Sequence, residues 1–144
     1  SLKLKGYNID TVFSSNVIEH IKDDQAAFNN IFKILRKNGR FLLLVPSIKT
    51  LYGTMDNYDG HYRRYSKKEL LYKLKKAGFV IENIRYINFF GILGWYTNGK
   101  ILKKRMLSEN QMGLFDLFVP FLFKFEKLFG PFIGLSLIAI CKKP

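Results

Sequence analysis

Short runs of apolar residues, bounded by Gly, Pro, Asp and Ser, predict four strands along the chain. In the first strand the apolar positions are Ile9, Val12 and Phe13, and we expect this strand to be buried. The second consists of five consecutive apolar residues before Pro46, which is typical of a strand covered on both faces of a parallel sheet. The alternation slips near Asn83 in the third strand, which predicts an irregularity there. The predicted strands are residues 7–15, 41–45, 79–88 and 135–142.

Apolar residues at helical spacing predict two helices between these strands. Asp23 or Asp24 can cap the first helix, and Gly39 can end it in a left-handed turn. Ser66 and Glu69 form a capping box at the start of the second helix. The inner faces consist of Phe28, Ile31, Phe32 and Leu35 in the first helix, and of Leu70, Leu71, Leu74 and Ala77 in the second, which ends at Gly78.

Strands that alternate with helices are typical of an α/β protein with a doubly wound, mostly parallel sheet. We expect residues 1–144 to form a single domain, in which a Phe- and Leu-rich helical insertion at residues 89–133 precedes the last strand. Residues 114–129 of this insertion have a broad apolar face. That face needs a cover, which can be a membrane interface, the cleft of the domain, a partner chain or the domain's own core.

The net charge of +13 arises from 24 Lys and Arg against 11 Asp and Glu. Such an excess favours an anionic partner, such as a phospholipid surface or a phosphorylated substrate, although general solubility in a basic proteome also explains it. One basic cluster, close to Trp95 and Tyr96, suits a membrane surface. Nucleic-acid binding is disfavoured because no recognition helix or stacking strand accompanies the charge. The cluster consists of Lys100, Lys103, Lys104 and Arg105.

The single cysteine, Cys141, follows an apolar run and is predicted to be a small buried residue rather than a nucleophile. One cysteine cannot form an internal disulfide, which favours a reducing compartment. No uncharged apolar run reaches the roughly 18 residues that a membrane-spanning helix needs. We therefore expect a cytoplasmic protein, either free or peripheral at a membrane.

Residues 47–65 form a long loop rich in Tyr, Gly, Asp and Asn, and loops of this length are usually functional. Its paired arginines would hold a carboxylate or phosphate by bidentate hydrogen bonds, together with the tyrosines. Alternatively, one arginine pairs with Asp56 or Asp59 and fixes the loop. The two histidines have a spacing that matches no common zinc pattern, so no metal site is predicted. The candidate substrate-binding residues are Tyr52, His61, Arg63, Arg64 and Tyr65.

Several segments, taken in order, resemble class I S-adenosylmethionine-dependent methyltransferases. Residues 10–21 resemble the fourth strand of that family and the loop after it, with Asp10 opening the strand and Asn16-Val17-x-Glu19-His20 following it. Residues 35–40 and 77–79 are similar to the turns into the fifth and sixth strands. Residues 51–53 and 60–66 resemble a subgroup linked to glycosyltransferases and to envelope polysaccharide or lipid pathways.

The resemblance implies a partial Rossmann-like sheet with strands equivalent to 4-5-7-6, in which the seventh is antiparallel between the fifth and sixth. The family's glycine-rich cofactor loop is missing, and Gly91-Ile92-Leu93-Gly94 does not replace it because it lies in the helical insertion. We therefore expect this chain, which starts at Ser1 without a methionine, to be the C-terminal half of a methyltransferase with about a hundred further residues before it.

By the same resemblance, the residues after the first strand would flank the methionine and ribose end of S-adenosylmethionine. Ligands of open α/β sheets bind beyond the carboxyl ends of the strands, which agrees with this position. His20 would take a proton from an acceptor hydroxyl; alternatively, it forms a hydrogen bond with Glu19 or with backbone. His20 and His61 are the candidate catalytic residues. The candidate cofactor-binding residues are Ser14, Ser15, Asn16, Val17 and His20.

Two functional hypotheses follow. In the first, the parent enzyme methylates a small molecule or a lipid-linked glycan precursor, and this chain alone is inactive and does not bind the cofactor. In the second, the chain is a non-enzymatic module that associates with a membrane or a partner protein. In either case residues 9–15 should form an open sheet edge, covered by residues 1–6, by the Phe-rich segment or by a second copy in a homodimer.

Overall fold

A computed structural model of the chain describes residues 7–106 and 132–144, together with Gly113, Leu117, residues 119–122, Lys124 and Glu126. Short 3-10 turns at Ile18–His20 and Lys49–Leu51, and a π-helical turn at Thr97–Ile101, connect the main elements. In chain order those elements are β1 (Ile9–Ser15), α1 (Asp24–Ile34), β2 (Leu35–Pro46), α2 (Thr54–Tyr58), α3 (Lys67–Lys76), β3 (Val80–Ile87), α4 (Gly91–Tyr96) and β4 (Ser136–Lys142).

The four strands form one mixed sheet in the order β1-β2-β4-β3. β1 and β2 are parallel, whereas β4 runs antiparallel to both of its neighbours, β2 and β3. The predicted α/β class is confirmed, as is the last strand lying antiparallel between the second and third. Three of the four described strands, β1, β2 and β3, run in the same direction, as expected of a mostly parallel sheet, and β4 alone is reversed, so one pair of neighbours is parallel and two are antiparallel. β1 pairs with β2 alone among these strands and lies at the edge of the sheet.

One face of the sheet carries the core. Phe41, Leu43 and Val45 of β2 are fully buried, and the Phe41 ring lies 6.3 Å from that of Phe28 in α1. Burial of each such side chain contributes roughly 1.5–3 kcal/mol to folding, so this face supplies the main driving force. The buried residues that complete it are Leu70 and Leu74 of α3, Phe79, and Leu137, Ala139 and Cys141 of β4.

The opposite face is only partly covered, which corrects two expectations. Phe13 pairs with Leu42 on this face and is 69% exposed, so β1 is not a buried strand. Leu42 and Leu44 are half-buried, whereas their neighbours in β2 that face α1 and α3 are fully buried. The apolar run of β2 therefore has one packed face and one partly covered face, because both α1 and α3 lie on the same side of the sheet.

The end of α1 also differs from expectation. Asp23 caps the helix as predicted, with its Oδ1 atom accepting from the Ala26 amide at 2.9 Å. The helix ends at Ile34 and β2 begins at Leu35, and the left-handed residue of this region is Asn38 within β2, with φ of 63°, not Gly39. Glycine is needed at position 39 for a different reason: a Cβ atom there would lie 2.9 Å from the Arg36 carbonyl oxygen.

The second crossover follows the prediction closely. The Ser66 hydroxyl accepts from the Glu69 amide at 3.2 Å and begins α3. Gly78 ends this segment with φ of 102°, and β3 shifts its register between Ile81 and Asn83, as the slipped alternation predicts. Cys141 is buried, as predicted, and burial raises the pKa of its thiol to about 12, so it carries no thiolate near neutral pH.

A buried polar cluster joins α1 to α3. The Asp24 carboxylate is 3% exposed and accepts from the Tyr65 hydroxyl at 2.8 Å and from Lys73 Nζ at 2.7 Å. Burial alone would raise the pKa of Asp24, but the bonds from Lys73, Tyr65 and Arg63 outweigh it and hold the pKa below its ordinary value of 3.8. Asp24 is therefore ionised and connects the two helices electrostatically.

The insertion before β4 is helical over Gly91–Tyr96 and Thr97–Ile101 and at its described residues from 113 to 126, whereas residues 102–106 and 132–133 are not helical. α4 leads directly into the π-helical turn, and the Glu126 carboxylate accepts hydrogen bonds from the backbone amides of Asn88 and Phe89 at the end of β3. Within the described ranges, no helix combines the length and apolarity needed to cross a bilayer. The predictions for most of residues 107–131 lie outside the described residues.

We predict that Gly78→Ala destabilises the protein and Gly94→Ala does not. An added Cβ at position 78 would lie 2.9 Å from the Phe32 ring, on a backbone with positive φ, so the loss should be about 1–3 kcal/mol. At position 94, in α4, a Cβ would meet nothing within 4 Å, and alanine favours a helix by up to about 1 kcal/mol. Denaturant unfolding of both variants measures the difference, and equal stabilities would contradict this account.

We predict that Asp24→Asn lowers the free energy of unfolding by about 2 kcal/mol at neutral pH, because it leaves Lys73 and Arg63 without their carboxylate. Since the folded pKa of Asp24 is lowered, its contribution is present above the unfolded value of 3.8 and is lost as pH falls through the folded pKa. The difference in the free energy of unfolding between wild type and variant should therefore disappear below about pH 4. Exposed Asp59→Asn is the matched control, and a pH-independent gap would argue against the ion pairs.

Candidate functional site

The parallel strands β1 and β2 end side by side, at one rim of the sheet. Ser15 is paired with Leu44, and the Asn16 amide donates to the Leu44 carbonyl at 3.0 Å. Asn16 then adopts a left-handed conformation, with φ of 49°, which turns the chain away from the sheet and into the Ile18–His20 turn. The loop after β2 leaves from the same rim. This is where ligands of open α/β sheets bind.

The predicted cofactor-binding residues follow one another along this rim. Ser14 is 8% exposed, and its Oγ atom has no hydrogen-bond partner among the described residues. Ser15 is half-buried, whereas Asn16 and Val17 are exposed. A buried hydroxyl normally finds a partner, so the orphaned Ser14 group indicates that this end of β1 lacks one polar contact.

The two histidines, far apart in sequence, come together beside the rim. The Tyr62 amide donates to the Glu19 carbonyl at 2.8 Å and attaches the long loop to the Ile18–His20 turn. The rings of His20 and His61 meet edge to face, with centroids 4.6 Å apart. His20 is exposed, whereas the His61 side chain is 10% exposed. The structure thus brings the candidate catalytic residues into one cluster.

Asp56, in α2, organises the inner part of this cluster. It is fully buried, and its Oδ1 atom lies 2.7 Å from Arg64 Nε and 3.0 Å from His61 Nδ1. Burial would raise the pKa of Asp56, but His61, Arg64 and the Gly53 amide outweigh that effect and lower it. An ionised carboxylate only accepts hydrogen bonds. His61 Nδ1 is therefore the donor in this contact, and its Nε2 atom is left for a second partner.

Arg64 lies in the interior. It is 2% exposed, its Nη1 atom donates to the Ser47 carbonyl at 3.1 Å, and its guanidinium lies 4.6 Å from the centroid of the Trp95 ring. This geometry agrees with the alternative in which an arginine pairs with Asp56 and fixes the loop. Tyr52 lies in the same cluster, since its hydroxyl donates to the His61 carbonyl at 2.6 Å.

Arg63 and Tyr65 instead contact Asp24. Tyr65 is fully buried, and Arg63 Nη1 lies 2.8 Å from Asp24 Oδ2 while its Nη2 donates to the Lys22 carbonyl at 2.6 Å. Burial and the neighbouring Asp24 carboxylate raise the pKa of the Tyr65 hydroxyl. The five predicted substrate-binding residues therefore divide between two clusters, around Asp56 and around Asp24, and do not converge on one pocket.

Glu19 is the residue of this region that sequence reasoning missed. It is fully buried in the Ile18–His20 turn, and neither carboxylate oxygen has a hydrogen-bond partner among the described residues. Burial raises its pKa, and its own backbone amide, His61, His20 and Arg64 only partly offset this. The alternative in which His20 bonds to the Glu19 carboxylate is therefore wrong. The adjacent Glu-His pair at a strand end was the available signal.

Solved structures share this fold at low sequence identity. A protein from Bacillus halodurans C-125 assigned as a methyltransferase has a TM-score of 0.57 and 17% identity over 96% of this chain and 73% of its own. An S-adenosylmethionine-dependent methyltransferase from Thermotoga maritima has a TM-score of 0.59 and 18% sequence identity, and the match covers 100% of this chain and 60% of that protein. Phosphoethanolamine N-methyltransferase 2 of Haemonchus contortus, solved with S-adenosyl-L-methionine, has a TM-score of 0.52 and 20% sequence identity. That match covers 94% of this chain and 33% of that protein. At these identities the likeness establishes the fold alone.

No curated protein matches the chain in sequence. The family model described as a methyltransferase domain matches residues 4–84, which is more than half of the 144 residues and includes both β1 and β2 with the loops that carry His20 and His61. The match therefore contains the whole rim described above, and this chain belongs to the methyltransferase domain family.

Proposed function

We propose that this chain is the C-terminal part of an S-adenosylmethionine-dependent methyltransferase that acts on a small molecule or on a lipid or glycan precursor. The single observation that carries the proposal is the rim itself, where β1 and β2 end together within the family match. In this proposal β1, β2, β4 and β3 are equivalent to strands 4, 5, 7 and 6 of the whole enzyme. Their observed order and directions support that equivalence.

The residues at the rim fit one end of the cofactor. The orphaned Ser14 hydroxyl and the exposed backbone at Asn16 and Val17 can meet the polar groups of its methionine and ribose. Gly91 and Gly94 cannot serve as a phosphate or nucleoside loop, because they lie within α4. The cleft next to Asn16 and Leu44 has a volume of about 270 Å³, below the roughly 300–1,000 Å³ of usual ligand pockets. The described residues therefore provide only part of a site.

The cofactor, when bound, supplies a methyl group on an activated sulfonium. The protein must then hold the acceptor in line with that methyl group, and positioning accounts for much of the barrier reduction. Of the two histidines, His20 is the exposed one and lies in the turn that follows β1, so it is the candidate to accept the acceptor's proton. His61, held by Asp56 from behind, fixes the position of the loop and of the His20 ring.

We predict that the 144-residue chain does not bind S-adenosylmethionine at micromolar concentration. Titration calorimetry on this chain and on a gene product extended upstream provides the comparison. Binding by the extended product alone is the expected result. Micromolar binding to the 144 residues would contradict the incomplete site, and failure of an extended product that contains a glycine-rich loop would contradict the cofactor assignment.

A second function is supported by one specific surface. The segment that contains α4 and the π-helical turn exposes large apolar side chains, among them Leu93, Ile101 and Met106, beside exposed Lys100, Lys103 and Arg105. Apolar groups next to cations are the pattern of a membrane-surface segment. This observation favours a membrane-peripheral protein, and it is compatible with a lipid-linked methyl acceptor.

We predict that the protein co-sediments with anionic vesicles and not with neutral ones, and that Lys100→Glu, Lys103→Glu and Arg105→Glu together abolish this binding. The matched control reverses two lysines and one arginine elsewhere, at Lys33, Arg36 and Lys37, all of which are exposed. If both triple variants lose binding equally, the attraction depends on net charge and not on this surface. Retained binding in the first variant would also reject it.

A further inference from the structure

Three buried carboxylates lie close to the loop after β2, and only two of them have cationic partners. Asp24 is paired with Lys73 and Arg63, and Asp56 with Arg64. Glu19 is fully buried and forms no ion pair or hydrogen bond with any described residue through its side chain. A buried and unpaired charge is strongly unfavourable, and proteins normally resolve it by pairing, by protonation or by binding a cation.

The two histidines bring ring nitrogens close to the Glu19 carboxyl group. One carboxylate oxygen of Glu19 and one ring nitrogen each of His20 and His61 all lie within 4.8 Å of one another. Around a tetrahedral zinc ion with bonds of about 2.0–2.2 Å, ligand atoms are separated by roughly 3.4 Å. A shift of at most about 1.4 Å closes the difference, and the exposed His20 side chain has room to make it.

The surroundings of His61 resemble those of a metal-bound histidine. Such histidines almost always donate their other ring N–H to a carboxylate or a carbonyl, which fixes the tautomer and the ring orientation. His61 Nδ1 is 3.0 Å from Asp56 Oδ1, and Arg64 holds Asp56 in place at 2.7 Å. The buried pair of Asp56 and Arg64 therefore fixes the orientation of the His61 ring and leaves its Nε2 atom for a metal ion.

We propose that Glu19, His20 and His61 form a binding site for one divalent transition-metal ion of the zinc class, at the rim where β1 and β2 end. Two imidazole nitrogens and one carboxylate oxygen suit zinc and its neighbours, whereas Mg²⁺ prefers oxygen ligands only. Because His20 is exposed, at least one coordination position opens to solvent. The proposal does not depend on S-adenosylmethionine binding, since all three ligands belong to this chain.

The first experiment measures metal binding directly. Chelator-treated protein is titrated with Zn²⁺ by calorimetry, and Co²⁺ reports the coordination geometry through its visible absorption. We expect one ion per chain at micromolar affinity, and no comparable heat with Mg²⁺. Glu19→Gln and His20→Ala should each weaken Zn²⁺ binding at least about tenfold. Glu82→Gln, at an exposed glutamate paired with Arg40, is the control and should bind as wild type does.

A second measurement separates a metal ligand from a residue needed only for folding. Without metal, Glu19→Gln removes an unpaired buried charge and should be at least as stable as the wild type. Added Zn²⁺ should raise the melting temperature of the wild type and leave that of Glu19→Gln unchanged, because only a state that binds the ion is stabilised by it. Wild-type Zn²⁺ affinity in both Glu19→Gln and His20→Ala, or no binding below millimolar Zn²⁺, would overturn the proposal.

Discussion

The parallel pairing of β1 and β2 is the constraint on which the site depends. Parallel strands present their carboxyl ends at one edge, so the two loops that follow them must leave the sheet side by side. The Asn16 amide bond to the Leu44 carbonyl extends the pairing by one residue beyond β1. The bond from the Tyr62 amide to the Glu19 carbonyl then joins the loops themselves. Two histidines 41 positions apart in the sequence thereby become neighbours.

Buried acids determine how the loop after β2 is arranged, despite the large excess of basic residues. Asp24 is bound by the C-terminal end of the loop and by Lys73 of α3, and Asp56 by residues of the loop itself. Each carboxylate is held ionised by its cationic partners. Arg63 and Arg64 are adjacent in sequence, but each forms an ion pair with a different one of these two acids. The basic residues near the core thus form internal ion pairs, and the excess positive charge, +13 in total, lies at the surface.

Hydrophobic periodicity was sufficient to predict the strands, the two crossover helices and the register slip near Asn83, because these depend on local spacing. It could not show that both helices pack on the same side, so the exposure of Phe13 was missed. In the long loop, neighbouring side chains point in unrelated directions. Arg63 pairs with Asp24 whereas Arg64 pairs with Asp56, and these tertiary contacts cannot be predicted from residue spacing. Glu19 was missed for the same reason, since glutamate is rarely buried without a partner.

The two roles considered for His20 exclude each other, and this limits how methyl transfer and metal binding can be combined. An imidazole nitrogen whose lone pair is bound to a metal ion cannot accept a proton from an acceptor hydroxyl. If Glu19, His20 and His61 held an ion, His20 would act as a ligand, and the ion would supply Lewis-acid polarisation to an acceptor oxygen nearby. Without an ion, His20 would be available as a proton acceptor, but the buried Glu19 carboxyl group would keep no hydrogen-bond partner among the described residues. Zn²⁺ binding to these three side chains would therefore argue against His20 as the proton acceptor.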